Sequence, residues 1–120
     1  SFKASPDFGK LYENIVACKL QKQELDEKLK FYYWKNQQQE EVDFVIKEGI
    51  KIKQLIQVCF DMNNLDTKNR EIRALIKAGK ELKCNSLLII TEDTEKEEET
   101  EWFGDKAVIK FIPLWKWLLA

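Results

Sequence analysis

The stretch Glu41-Val42-Asp43-Phe44-Val45-Ile46, followed after Gly49 by Ile52 to Phe60, decides how this chain is read. Successive side chains of an extended strand point to opposite faces, so Val42, Phe44 and Ile46 share one face while Asp43 and Val45 share the other. The same period in the next stretch sets Ile56, Val58 and Phe60 against Leu55, Gln57 and Cys59. Gly49 suits the turn between the two. Upstream, Leu29 to Trp34 is dense in aromatic residues and reads as a further strand, with the polar Asn36 to Gln39 as its turn. The three form a meander.

Working outward, Ser5-Pro6-Asp7 has the chemistry of a helix start, with Ser as cap, Pro in the first turn and an acid favoured by the helix dipole. Phe8, Leu11, Tyr12, Ile15 and Val16 then recur at helical spacing, extended by Leu20, and are expected in the core. Downstream, Asp66 or Thr67 caps a second helix whose Ile72, Leu75, Ile76 and Leu82 line one face, with Asn85 as its stop. Leu87 to Ile90 is a short continuous apolar run, as expected of a strand buried on both faces, so strand, helix and strand make a parallel crossover. The acidic stretch Glu92 to Glu101 reads as an exposed loop, Ala107 to Ile112 as a last strand, Pro113 as its end and Leu114 to Leu119 as a closing helix. The predicted class is α/β, a mixed central sheet flanked by helices in the order α-β-β-β-α-β-β-α, forming one domain over residues 1–120.

Composition narrows the function classes. The chain has 120 residues, 44% of them hydrophobic and 34% charged, within the range of a folded globular unit. Its apolar runs fall far short of the roughly 20 residues that span a bilayer. Lys and Arg total 20 against 21 Asp and Glu, so no bulk attraction to nucleic acid or anionic lipid operates, and any such binding must be local. Cys18, Cys59 and Cys84 are scattered, and without any His they offer no zinc pattern; they read as buried small residues of a reducing cytoplasm. The chain carries neither a secretory leader nor an initiator Met, and reads as a piece of a longer protein.

Glu13-Asn14-Ile15-Val16, Tyr33-Trp34, Glu41 to Ile46, Leu55-Ile56-Gln57-Val58-Cys59, Arg70-Glu71-Ile72 and Ile112-Pro113-Leu114-Trp115 together resemble the C-terminal nuclease-like domain of archaeal AAA+-type ATPases, over nearly the whole chain. The resemblance implies a PD-(D/E)xK, or restriction-endonuclease-like, core and a preceding ATPase module. The chain itself has no GxxxxGK loop followed by Ser or Thr, so it does not bind ATP by that route. In that superfamily, acids on neighbouring elements hold Mg²⁺ or Mn²⁺, which activates a water, and a strand lysine stabilises the developing charge.

Carried over residue by residue, Glu13 stands at the first-helix acid, Asp43 at the second-strand acid, Gln57 at the third-strand acid and Cys59 at the lysine. Glu13, Asp43 and Gln57 would be the metal ligands. Gln57 removes a negative charge and Cys59 cannot supply the fixed positive one, so the apparatus reads as degenerate. Relocation to Asp61 and Lys53, expected on the face of Gln57, is the rescue available. Arg70, Arg73, Lys77, Lys80 and Lys83 either rim a nucleic-acid site or form a solvated face. Phe31 to Trp34 either stack bases or pack in the core, and Trp115 and Trp117 either pack or meet the ATPase module. The expected role is an accessory domain that binds nucleic acid or a protein partner; the alternatives are a Mg²⁺- or Mn²⁺-dependent nuclease with a rearranged site and a structural oligomerisation domain.

Overall fold

The computed structural model describes residues 5–26 and 29–120, and the expected cap at Ser5 to Asp7 lies outside its described side chains. The elements run α1 (Ser5–Asp26), β1 (Leu29–Lys35), β2 (Glu41–Glu48), β3 (Lys51–Val58), α2 (Leu65–Leu82), β4 (Leu87–Thr91), β5 (Lys96–Trp102), β6 (Asp105–Pro113) and α3 (Leu114–Leu119). The strands form one six-stranded mixed sheet in the order β1-β2-β3-β4-β6-β5. Pairing is antiparallel from β1 to β3, parallel from β3 through β4 to β6, and antiparallel again between β6 and β5. Among the described residues no helix is long and apolar enough to cross a membrane.

Each face of the sheet carries its own apolar layer. Val42, Val45, Leu55, Ile89, Ile109 and Phe111 pack against Ile72, Leu75 and Ile76 of α2. On the opposite face Phe44, Ile46, Ile56, Val58, Leu88 and Ile90 pack against Val16 and Leu20 of α1 and Leu114 of α3. The Leu87 to Ile90 run is buried throughout, as a strand covered on both faces requires. Lys19 fastens α1 to α3: its ammonium donates to the Trp117 and Leu118 carbonyls at 2.8 and 3.0 Å and lies 4.6 Å from the Trp117 ring centre. The ring of Phe60 stacks on Phe8 and meets the edge of Tyr12 on the same side.

Several sequence expectations need correction. The acidic stretch is a loop only at its start, because Lys96–Trp102 forms the edge strand β5. Its glutamates are tolerated because Glu97 lies opposite Lys110 and Glu101 opposite Lys106 on β6. Phe103 and Gly104, with φ of 49° and 83°, make the tight turn that joins the two strands. The element order therefore contains one strand more than predicted. Leu11 and Cys18, expected inside, lie on the outer side of α1. The cap of α2 is Asn64, whose side chain accepts from the Thr67 amide at 3.1 Å, since a residue one turn earlier reaches the free N–H groups. Helix α2 stops at Lys83, in the left-handed conformation, rather than at Asn85.

The face assignment in β2 is also revised. Tyr32 pairs with Val45 and Trp34 with Val42, so two residues, Asp43 and Phe44, stand opposite the single residue Tyr33. This bulge turns Val42 to the α2 side beside Val45, instead of leaving it with Phe44 and Ile46. A second irregularity inserts Lys53 between Ile52 and Gln54 of β3, and Lys53 borders a cavity on the α1 side, away from the face of Gln57.

The close crossing of α2 over β4 depends on a glycine. A Cβ at Gly79 would stand 2.8 Å from the Cys84 carbonyl oxygen and 3.3 Å from Leu87. Gly79→Ala is therefore expected to destabilise by about 1–3 kcal/mol. Gly9→Ala in α1, where nothing lies within 4 Å, is expected to stabilise by about 0.5–1 kcal/mol. Urea unfolding of the two variants checks the opposite signs.

Candidate functional site

The bulge at Asp43 replaces ladder hydrogen bonds with side-chain ones. The Asp43 carboxylate accepts from the Val58 amide at 2.8 Å, while the Asp43 amide donates to Gln57 Oε1 at 2.8 Å. Gln57 has no exposed surface, and its Nε2 donates to the Glu41 carbonyl at 2.7 Å and the Glu71 carbonyl at 3.3 Å. One amide thus joins β2, β3 and α2 through both of its polar ends. A buried primary amide is the side chain suited to this position, because it offers an acceptor to an N–H and donors to two carbonyls at once.

Glu13 of α1, Glu41 and Asp43 of β2 and Glu71 of α2 face one another here. A cavity of about 290 Å³ opens beside them, lined by Gln39, Glu41, Asp43, Arg70 and Glu71. Burial pushes the Asp43 carboxyl up to about 7, opposed by the Val58 N–H and reinforced by the charges of Glu13 and Glu41. Burial likewise raises Glu71 to about 8, with Asp43 adding to the rise and Arg70 opposing it. Glu13 is raised by burial, eased by Lys10 and increased by Glu41. The Cys59 thiol, buried and surrounded by Glu71, Asp61 and Asp43, is pushed up to about 11. A thiol so placed stays protonated at neutral pH and is a poor nucleophile.

Glu13 lies within electrostatic reach of Asp43, Gln57 bonds the Asp43 amide, and Cys59 lies near enough for Asp43 to bear on its thiol. The structure adds Glu71 and Glu41, to which the sequence reading gave no role. Arg70-Glu71-Ile72 marked the resemblance, but a lone acid one position before a core isoleucine of a helix carries no sign of where it points. Asp61 is exposed, and its carboxylate accepts from the Asn63 amide at 3.0 Å.

A hard divalent cation takes about six oxygen ligands with regular geometry. Gln57 Oε1 already accepts from one amide and an Asp43 oxygen from another. Among the described residues no group of three or more His, Cys, Asp or Glu side chains is placed to hold a metal ion. With an amide at position 57 bonded to backbone at both ends, the pocket offers fewer charged oxygen donors than such a cation takes.

Two basic residues of α2 are held within the domain by one acid. Arg73 and Lys77 each donate to the buried Glu40 carboxylate at 2.8 Å. Burial pushes Glu40 up, but hydrogen bonds from Asn36, Lys77 and Arg73 together pull it below its ordinary value. The Arg73 guanidinium also stands 4.9 Å from the Trp102 ring centre. Lys80 pairs with Asp105 at 3.1 Å, Lys83 is the helix end, and Arg70 faces the carboxylate cavity. Among the aromatic residues of β1, Phe31 packs on Phe44, and the Trp34 indole donates to Glu81 at 3.0 Å. Tyr32 and Tyr33 are exposed, and Tyr33 donates to Glu41. Trp117 packs under Lys19, and Trp115 is exposed.

A family model described as "Domain of unknown function (DUF4143)" matches residues 8–117. The chain is also 36% identical over 122 residues to "Uncharacterized protein MJ1544" of Methanocaldococcus jannaschii, a match that takes in 100% of this chain and 27% of that protein. The chain thus spans about a quarter of the length of this relative.

Two outcomes follow from the carboxylate geometry. Asp43 and Glu71 have folded-state pKa values of about 7 and 8 against ordinary values of 3.8 and 4.5. The folded protein therefore retains protons that the unfolded chain has released, so their contribution to stability is complete below about pH 4 and is lost as pH rises to about 8. Melting curves from pH 4 to 9 should show this fall. Glu71→Gln should raise Tm at pH 8.5 by about 4 °C and leave it unchanged at pH 4; a parallel shift at both would sink the assignment. Gln57→Glu places a carboxylate against two carbonyl oxygens and should lower stability at pH 8 by at least about 2 kcal/mol, read by urea unfolding.

Proposed function

We propose that this chain, which belongs to the DUF4143 family, is an accessory domain of a larger archaeal-type ATPase and acts by binding a protein partner rather than by hydrolysing nucleic acid. The observation that carries this reading is Gln57. Its amide sits at the third-strand acid position of a PD-(D/E)xK-like core and is occupied on both ends by backbone groups of the domain. A residue so engaged supports the fold. Two positions on, Cys59 stands where a lysine would be needed, as a buried, protonated thiol.

Binding to protein is favoured over nucleic acid by the charge arrangement. Arg73 and Lys77 both bond the one Glu40 carboxylate and Lys80 pairs with Asp105, which lowers the positive charge this face offers to phosphates. The cavity next to Arg70 is lined by the acids Glu41, Asp43 and Glu71, so it presents no surplus of positive charge to a polyanion. The short share of MJ1544 that the chain covers supports a domain that works as part of a longer polypeptide.

Thermal unfolding with millimolar Mn²⁺ or Mg²⁺ tests the reading. A ligand at 100 times its Kd stabilises by roughly 2.7 kcal/mol, so binding would be visible. No shift is expected. A shift abolished by Asp43→Asn, together with Mn²⁺-dependent cleavage of DNA, would replace this reading with that of a nuclease whose site is rearranged around Glu71.

A further inference from the structure

A groove of about 590 Å³ lies between α2 and the free edge of the sheet, lined by Ile72, Ile76 and Trp102 together with Arg70, Arg73 and Glu101. It runs beside β5, which ends the strand order and so presents one edge without a strand neighbour among the described residues. Backbone N–H and C=O groups on such an edge are a template for another strand. Along β5, Glu98, Thr100 and Trp102 turn toward α2, where Glu98 pairs with Lys68 and Trp102 meets Arg73. Glu97, Glu99 and Glu101 alternate to the opposite face and are exposed.

The inner neighbour of β5 shows what kind of strand this pattern accepts. On β6, Lys110, Val108 and Lys106 stand opposite Glu97, Glu99 and Glu101, while Ile109 and Phe111 turn into the α2 core. The outer edge displays the same glutamates to a second strand, and on the α2 side Thr100 and the half-buried Trp102 face its alternate side chains. We propose that the β5 edge and the α2 groove bind an extended polypeptide segment with lysine or arginine on one face and apolar residues on the other, added to the sheet as a seventh strand. This deepens the protein-partner reading above and rests on it. A second copy of β5 is excluded as occupant, because its own glutamates would be set against these. A nucleic-acid strand is disfavoured for the same reason.

The test uses a synthetic peptide of alternating Lys and Val flanked by Thr, and its counterpart with Glu for Lys, titrated into the ¹⁵N-labelled chain. The Lys peptide should shift and protect amides of Lys96–Trp102 and the Trp102 indole, and bind about fivefold or more tightly than the Glu peptide. Glu99→Lys, which leaves Glu97 and Glu101 in the row, should cut the preference more deeply than Glu99→Gln does. Glu99 faces Val108, so this variant removes no cross-strand pair inside the domain, and Glu99→Gln, which should reduce the preference by less, provides a second reading if folding suffers. Equal binding of the two peptides, shifts confined to residues away from β5 and α2, or a single-stranded oligonucleotide that perturbs this groove in place of the peptide would each overturn the proposal. Failure here with no Mn²⁺ effect leaves the accessory-domain reading intact, whereas peptide binding beside Asp43-dependent Mn²⁺ stabilisation would separate the two the other way.

Discussion

A single buried amide, that of Gln57, holds the centre of this structure. Where the β2 bulge interrupts the ladder, backbone groups of Glu41 and Asp43 would be left without partners inside the sheet. Unpaired polar groups in such a place each cost on the order of 1–3 kcal/mol, so the bulge is tolerable only with a side chain that both donates and accepts. The Asp43 carboxylate completes the repair by taking the Val58 amide. The described side chains contain no buried polar atom without a partner, which shows how thoroughly the junction is satisfied.

That solution brings carboxylates together and the rest of the electrostatics adjusts to it. Burial raises Asp43 and Glu71 toward the neutral form, whereas Glu40 keeps its charge because Arg73 and Lys77 close over it. The same helix therefore stabilises one acid and leaves another to hold its proton. The difference is set by which α2 residues point where: Arg73 and Lys77 lie one turn apart above Glu40, and Glu71 looks back toward Asp43.

Much of the fold was legible in the residues. Alternation in Glu41 to Ile46 and Ile52 to Phe60, the apolar run Leu87 to Ile90 and the stripe through Ile72 to Leu82 identified strands and helix because hydrophobic period reports burial directly. The β5 strand was hidden because its residues are stabilised by opposite charges on β6 and by the edge position, and neither leaves a hydrophobic trace. The bulge was hidden too, since a register shift depends on the partner strand. Of the site, Asp43 was conspicuous as an acid within an apolar strand, and Glu13 was singled out only by the resemblance. Glu71 and Glu40 could not be picked out, since their importance comes from contacts made over long sequence separations.

The bond from the Val58 amide to the Asp43 carboxylate couples a backbone proton to a titrating side chain. As the carboxyl gives up its proton near pH 7, the acceptor gains charge and the hydrogen bond shortens and strengthens. The electron density around the Val58 amide hydrogen changes in step. A nuclear resonance on β3 thus becomes an internal pH indicator for a carboxyl group that is almost shut off from solvent.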